Sequence, residues 1–195
     1  MGWLKTTPLR GTHVTLEPLQ RDHVAALCDA VRDGEAWRLW VADVPSPPRM
    51  TGYVETALAA SDQRAFVVRE NVSNGAIVGT TRFYGVDTVN RRALIGFTWY
   101  AARVRQTAVN SEAKYLLLSY LFDDNDAIAV EFRTHSLNMA SRHAIERLGA
   151  KQDGLLRSHR IRADGTLRDT AVYSIIAAEW PAVRANLQAG LAAYD

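Results

Sequence analysis

Residues 93–134 run strand, polar turn, apolar helix, strand, and no other feature of the chain limits its fold as much. The segments 94–99 (LIGFTW) and 128–134 (IAVEFRT) have strand composition, while 103–118 read RVRQTAVNSEAKYLLL. A helix between two neighbouring strands obliges them to run parallel. The spacing of Ala113, Leu116, Leu117, Tyr120 and Leu121 predicts a helix from near Ser111 to about Phe122, with one face in the core. Gly96 marks a plausible bulge in the first strand.

The remaining segments build outward from this unit. Residues 13–19 alternate as a strand, Asp22 can cap a helix to about Val31, and 34–50 read as a short helix and a Pro-rich loop. A second helix covers 51–62. Strands 65–69, 76–86 and 94–99 form an antiparallel meander, with Asn74-Gly75 as its hairpin turn. Asn138 caps a helix that Gly149 ends, residues 154–161 and 169–176 form a last hairpin, and a terminal helix spans 181–193. The order βααβββαβαββα predicts an α/β fold in a single domain, 1–195. Its central sheet is mixed, mostly antiparallel and twisted, with helices on both faces.

The polar turn admits two readings. The first turn of a helix leaves about four N–H groups unpaired and carries partial positive charge. Strand, turn and buried helix in that order can hold an anion such as phosphate, with Arg103, Arg105, Thr107, Asn110 and Ser111 adding donors and Ala108 letting a ligand near the backbone. The same residues also suit a capped helix with solvated arginines. Neither GxxxxGKS/T nor GxGxxG occurs.

Composition excludes several classes. A net charge of +2 is too small to argue for nucleic acid. Cys28 is the sole cysteine, so no internal disulfide forms. The five histidines show no metal-ligand spacing. Residues 1–11 (MGWLKTTPLRG) lack the apolar core of a signal peptide, and no apolar run reaches the ~18 residues of a membrane span, which predicts a cytoplasmic protein. The basic strand Arg157, His159, Arg160, Arg162 reads as a solvated face or a contact for acidic substrate or RNA.

Six motifs in order carry a resemblance: GTTRF (79–83), IGFTW (95–99), TAVNSEAK (107–114), NMAS (138–141), AIERLGAK (144–151) and RDTAVYSI (168–175). Together they resemble the GNAT superfamily of acyl-CoA-dependent N-acetyltransferases, nearest the RimJ/RimL-like branch named for ribosomal-protein N-terminal acetylation. The resemblance implies the acyl-CoA N-acyltransferase fold, with the strands at 94–99 and 128–134 parallel and splayed. It implies acetyl-CoA as co-substrate, no metal, and a small-molecule or peptide amine as acceptor. A ribosomal protein is one possible acceptor, and a homodimer is expected.

The family's pyrophosphate loop, Q/R-x-x-G-x-G/A, falls on Arg105, Gln106, Thr107, Ala108, Val109 and Asn110, so Ala and Asn stand where the family has small, mostly glycine positions. Ala108 would be strained if that position needs a positive φ. Pantetheine is implied along Phe97, Thr98 and Trp99 and near Asn138. Thr98 N–H would serve the oxyanion and Ser141 the thiol, since the tyrosine acid of other branches is absent. Leu94 occupies the position where relatives place a base glutamate; Glu17, Glu55 and Glu131 are the other carboxylates considered. Trp40, Arg82 and Tyr84, with Trp37 and Trp99, could line the acceptor pocket, and His135 lies near it. A non-catalytic CoA-binding protein and a succinyl- or other acyltransferase are the alternatives on the same scaffold.

Overall fold

The computed structural model describes residues 3–72 and 75–194. Its strands are β1 (Leu9–Arg10), β2 (Val14–Pro18), β3 (Arg64–Glu70), β4 (Ile77–Asp87), β5 (Arg92–Tyr100), β6 (Ala129–His135), β7 (Lys151–Ile161) and β8 (Leu167–Ile176). Its helices are α1 (Val24–Arg32), α2 (Met50–Ala59), α3 (Ala108–Phe122), α4 (Met139–Arg147) and α5 (Trp180–Leu191). One sheet holds all eight strands in the order β1-β2-β3-β4-β5-β6-β8-β7. Every pairing is antiparallel except β5 with β6, the pair that the intervening helix forces to be parallel.

Two apolar clusters occupy opposite faces. Phe83 and Ile95 join α3, α4 and α5 residues such as Leu117, Ile145 and Val183 in one. Val67 and Trp99 join Leu27, Met50 and Val54 of α1 and α2 in the other. Helices therefore lie on both faces. Among the described residues no helix is long and apolar enough to cross a membrane.

Boundaries differ where local chemistry was ambiguous. α3 begins at Ala108, not near Ser111, because Thr107 is the cap: its hydroxyl accepts from Val109 N at 3.3 Å and donates to Val104 O at 2.8 Å. Asp22 does not cap α1. A 3-10 turn at Arg21–His23 precedes the helix, with His23 Nδ1 accepting from Gln20 N. The two-residue β1 has no periodicity to detect, yet it pairs with β2. Asn138 caps α4 by accepting from Ser141 N at 3.1 Å, and Gly149 follows with φ +100°. Asn74 of the expected Asn74-Gly75 turn lies outside the described residues.

Candidate functional site

The parallel ladder between β5 and β6 is short. It pairs Arg92 with Ala129, Ala93 with Val130 and Leu94 with Glu131, and nothing beyond. The strands thus part after Leu94, and a gap opens beside Ile95–Tyr100. β5 also slips against β4 within that gap: Thr80 pairs with Trp99 but Arg82 with Gly96. One extra residue is accommodated on β5, which makes a β-bulge at Phe97–Thr98. Phe97 there takes a left-handed backbone, φ +52°, a conformation that non-glycine residues adopt mainly where surroundings enforce it.

Those surroundings are specific on each face. On the α2 side, Tyr53 Oη and Thr80 Oγ1 both donate to the Phe97 carbonyl, at 3.3 and 3.2 Å. On the α3 side, Thr98 Oγ1 shares a 2.9 Å hydrogen bond with Thr81 Oγ1 and accepts one of 2.9 Å from Lys114 Nζ. The bulge is pinned from both faces of the sheet. Lys114 is 7% exposed and Thr98 is its one hydrogen-bond partner among the described residues. Burial alone pushes its ammonium down to about 7.

The mouth of α3 lies at the same end of β5. Gln106, just before it, holds the left-handed backbone (φ +62°), whereas Ala108 is the first helical residue and is buried. Alanine therefore fits without strain where the family pattern has glycine. The Thr107 hydroxyl takes the Val109 amide, and a helix offers its other first-turn amides no internal acceptor. Arg105 and Gln106 are exposed beside them. Arg103 is not part of this set, since its guanidinium pairs with Glu70 at 2.7 Å.

Across the gap, α4 begins with Asn138 and Ser141 one turn apart, immediately after β6. The α1/α2 face carries the predicted acceptor residues. Arg82 is 2% exposed and lies between the Tyr53 and Phe97 rings, 4.1 and 4.4 Å from their centres. Its Nη1 donates to Gln63 Oε1, while Nε and Nη2 have no partner among the described residues. Tyr84 stands edge-on to Phe97 at 5.1 Å, and burial pushes its hydroxyl up. Trp40 is exposed but packs edge-on against buried His135 at 5.2 Å, with Arg162 6.0 Å from its ring. Burial and then the Arg168 and Arg162 charges hold His135 below its ordinary value. Trp37 and Trp99 instead pack in the α1/α2 cluster.

None of the three candidate carboxylates stands free. Glu17 pairs with Arg69, Glu55 with Arg21, and Glu131 with both Arg92 and Arg133. Leu94 is buried. Tyr53, Thr80, Thr81 and Lys114 were not singled out by sequence; their partners lie 16 or more residues away, beyond any local pattern.

Residues 13–151 match the family described as the acetyltransferase (GNAT) domain. A candidate acetyltransferase of T. thermophilus superposes with a TM-score of 0.86 at 30% identity, over 97% of this chain and 99% of that one. Mycobacterium smegmatis RimJ, solved with CoA-disulfide, has a TM-score of 0.75 at 22% identity, over 94% and 93% of the two chains. In sequence, YdaF of Bacillus subtilis (strain 168), named as a candidate ribosomal N-acetyltransferase, is 24% identical over 86% of this chain and 93% of its own.

Proposed function

Because the chain belongs to the GNAT acetyltransferase family, we propose that it moves an acetyl group from acetyl-CoA to a primary amine by direct attack on the thioester, as a cytoplasmic homodimer. The observation that carries this reading is the coincidence at one end of β5 of three things: a parting strand pair, a bulge, and an open helix mouth. Amides of Gln106–Asn110, with Arg105, would hold the pyrophosphate. The backbone of Phe97–Trp99 and Asn138 would hold pantetheine, and Thr98 N–H would face the developing oxyanion. Ser141 would face the sulfur from α4.

The acceptor side is lined by Trp40, Arg82 and Tyr84. Guanidinium N–H groups of Arg82, Arg162 and Arg168 are unpaired there among the described residues, which favours an amine carrying a carboxylate. A ribosomal acceptor is supported by the name of YdaF, a candidate ribosomal N-acetyltransferase. With each candidate carboxylate held by arginine, the amine loses its proton to water.

Calorimetry with acetyl-CoA and thiol release on a panel of acidic and neutral peptide amines test this. Binding with turnover fastest on acidic peptides is expected, and Ala108→Asp, which sets a carboxylate against phosphate, abolishes binding. Absence of acetyl-CoA binding in the unmodified protein sinks the reading; binding without turnover favours a non-catalytic CoA binder.

A further inference from the structure

Lys114 is unexplained by the roles above. It is a lysine buried on the core side of α3, and among the described residues it meets no carboxylate. Glu112, the nearest acid on its helix, is consumed by the amides of Thr12, His13 and Val14 at 2.7–2.8 Å. From β5 it meets the Thr98 hydroxyl, which is itself hydrogen-bonded to the Thr81 hydroxyl of β4. Among the described residues, burial is the cause that lowers its pKa. A structural role would be served as well by Met or Leu, without the desolvation cost. A lone buried cation is instead the arrangement that an anion formed nearby would complete.

Position says which anion. Lys114 follows Ala108 by six residues, roughly 9 Å along the helix from the proposed pyrophosphate mouth. It ends on Thr98, in the stretch of β5 beyond its pairing with β6, on the face where α3 lies. Arg82 of the proposed acceptor side, packed on the Tyr53 ring of α2, lies on the opposite face. We propose that Lys114, acting through the Thr98 hydroxyl, supplies positive charge and a proton to the thiolate that leaves during acyl transfer. This rests on the acetyl-CoA reading above.

The step balances without any further reagent. The amine lone pair forms the C–N bond, and the C–S bond breaks with its electrons passing to sulfur. The Thr98 hydroxyl gives its proton to sulfur and takes one from the Lys114 ammonium. The amine's surplus proton goes to water on the acceptor side. Neutral Lys114 regains a proton from solvent after CoA departs. Ser141 brings a hydroxyl to the sulfur but no charge; Lys114 brings the charge.

The test titrates the thiol of bound CoA by its thiolate ultraviolet absorbance, with CoA affinity measured by calorimetry. In the unmodified protein the bound thiol should ionise at least about tenfold more readily than that of free CoA, because the thiolate and the Lys114 ammonium each favour the other's charged form. Lys114→Met and Thr98→Val should both return it to the free value while still binding CoA. Lys114→Arg and Thr98→Ser should keep it lowered. Turnover should fall about 100-fold in Lys114→Met, the usual scale for losing a positioned acid. In Lys114→Arg turnover should fall as in Lys114→Met although the bound thiol still ionises readily, since arginine supplies the charge but does not give up its proton. CoA bound by Lys114→Met with its thiol titrating as in the unmodified protein overturns the proposal. Should Lys114→Met not fold, an unchanged thiol titration in the nearly isosteric Thr98→Val overturns it equally. Failure of the unmodified protein to bind CoA overturns the acetyl-CoA reading and this proposal with it.

Discussion

A lysine ammonium held at about 7 inside the fold ties stability to pH. In the unfolded chain the same group titrates near 10.4. Between these values the unfolded state holds a proton that the folded state lacks, so stability rises with pH across this window. Lys114→Met removes the dependence. Its stability advantage over the unmodified protein should be largest below pH 7, at about 4–5 kcal/mol before packing changes. It should shrink by about 3 kcal/mol between pH 6 and pH 9, read from urea unfolding at the two pH values. A gap that stays constant with pH would mean that Lys114 keeps its proton in the folded protein. In the sequence Lys114 is one polar residue in an apolar helix, where exposure is the ordinary expectation for lysine. Only the hydroxyl beside it on β5 reveals its burial.

At the scale of elements, α3 does most to assemble the site, and it was legible in outline. Its apolar spacing, its place between parallel strands and its polar mouth were all readable from residues 103–122. Its start was not, because Ala108-Val109-Asn110 carries no start signal of its own and Thr107 caps it with a side chain that also reads as turn. The concern over Ala108 dissolves for the same reason: the left-handed residue is Gln106. What anchors α3 was also hidden. Glu112 takes three backbone amides of the β1–β2 turn, about 100 residues earlier. Glu112→Ala leaves those donors without their acceptor, and a loss of about 3 kcal/mol is expected, since each buried unpaired group costs about 1–3 kcal/mol. For a chain of this length that lowers Tm by roughly 6–12 °C in a calorimetric scan. Glu112→Gln, which keeps an acceptor, should recover part of it.

Across the whole molecule, the proposed acceptor face is assembled from distant parts of the chain. The segment between α1 and α2 sets Trp40 against His135 of β6 and pairs Asp43 with Arg168 of β8 at 3.0 Å. Arg82 comes from β4 and its flanking rings from α2 and β5. Replacing Arg82 by Met should raise the acceptor KM about tenfold or more for acidic peptides while acetyl-CoA affinity stays within about twofold, a split that steady-state kinetics and calorimetry resolve; a tenfold step corresponds to about 1.4 kcal/mol. Such convergence is why the sequence named Trp40, Arg82 and Tyr84 as candidates without showing how they meet. The Glu112 clamp has a consequence in time. The β1–β2 turn leaves the ribosome early, yet the carboxylate that secures it follows about 100 residues later. At about 5–20 residues per second, the amino-terminal turn waits roughly 5–20 s for its partner. During nascent-chain growth β2 is therefore paired through β3 before the clamp can form, and emergence of α3 is the event that secures the β1–β2 turn.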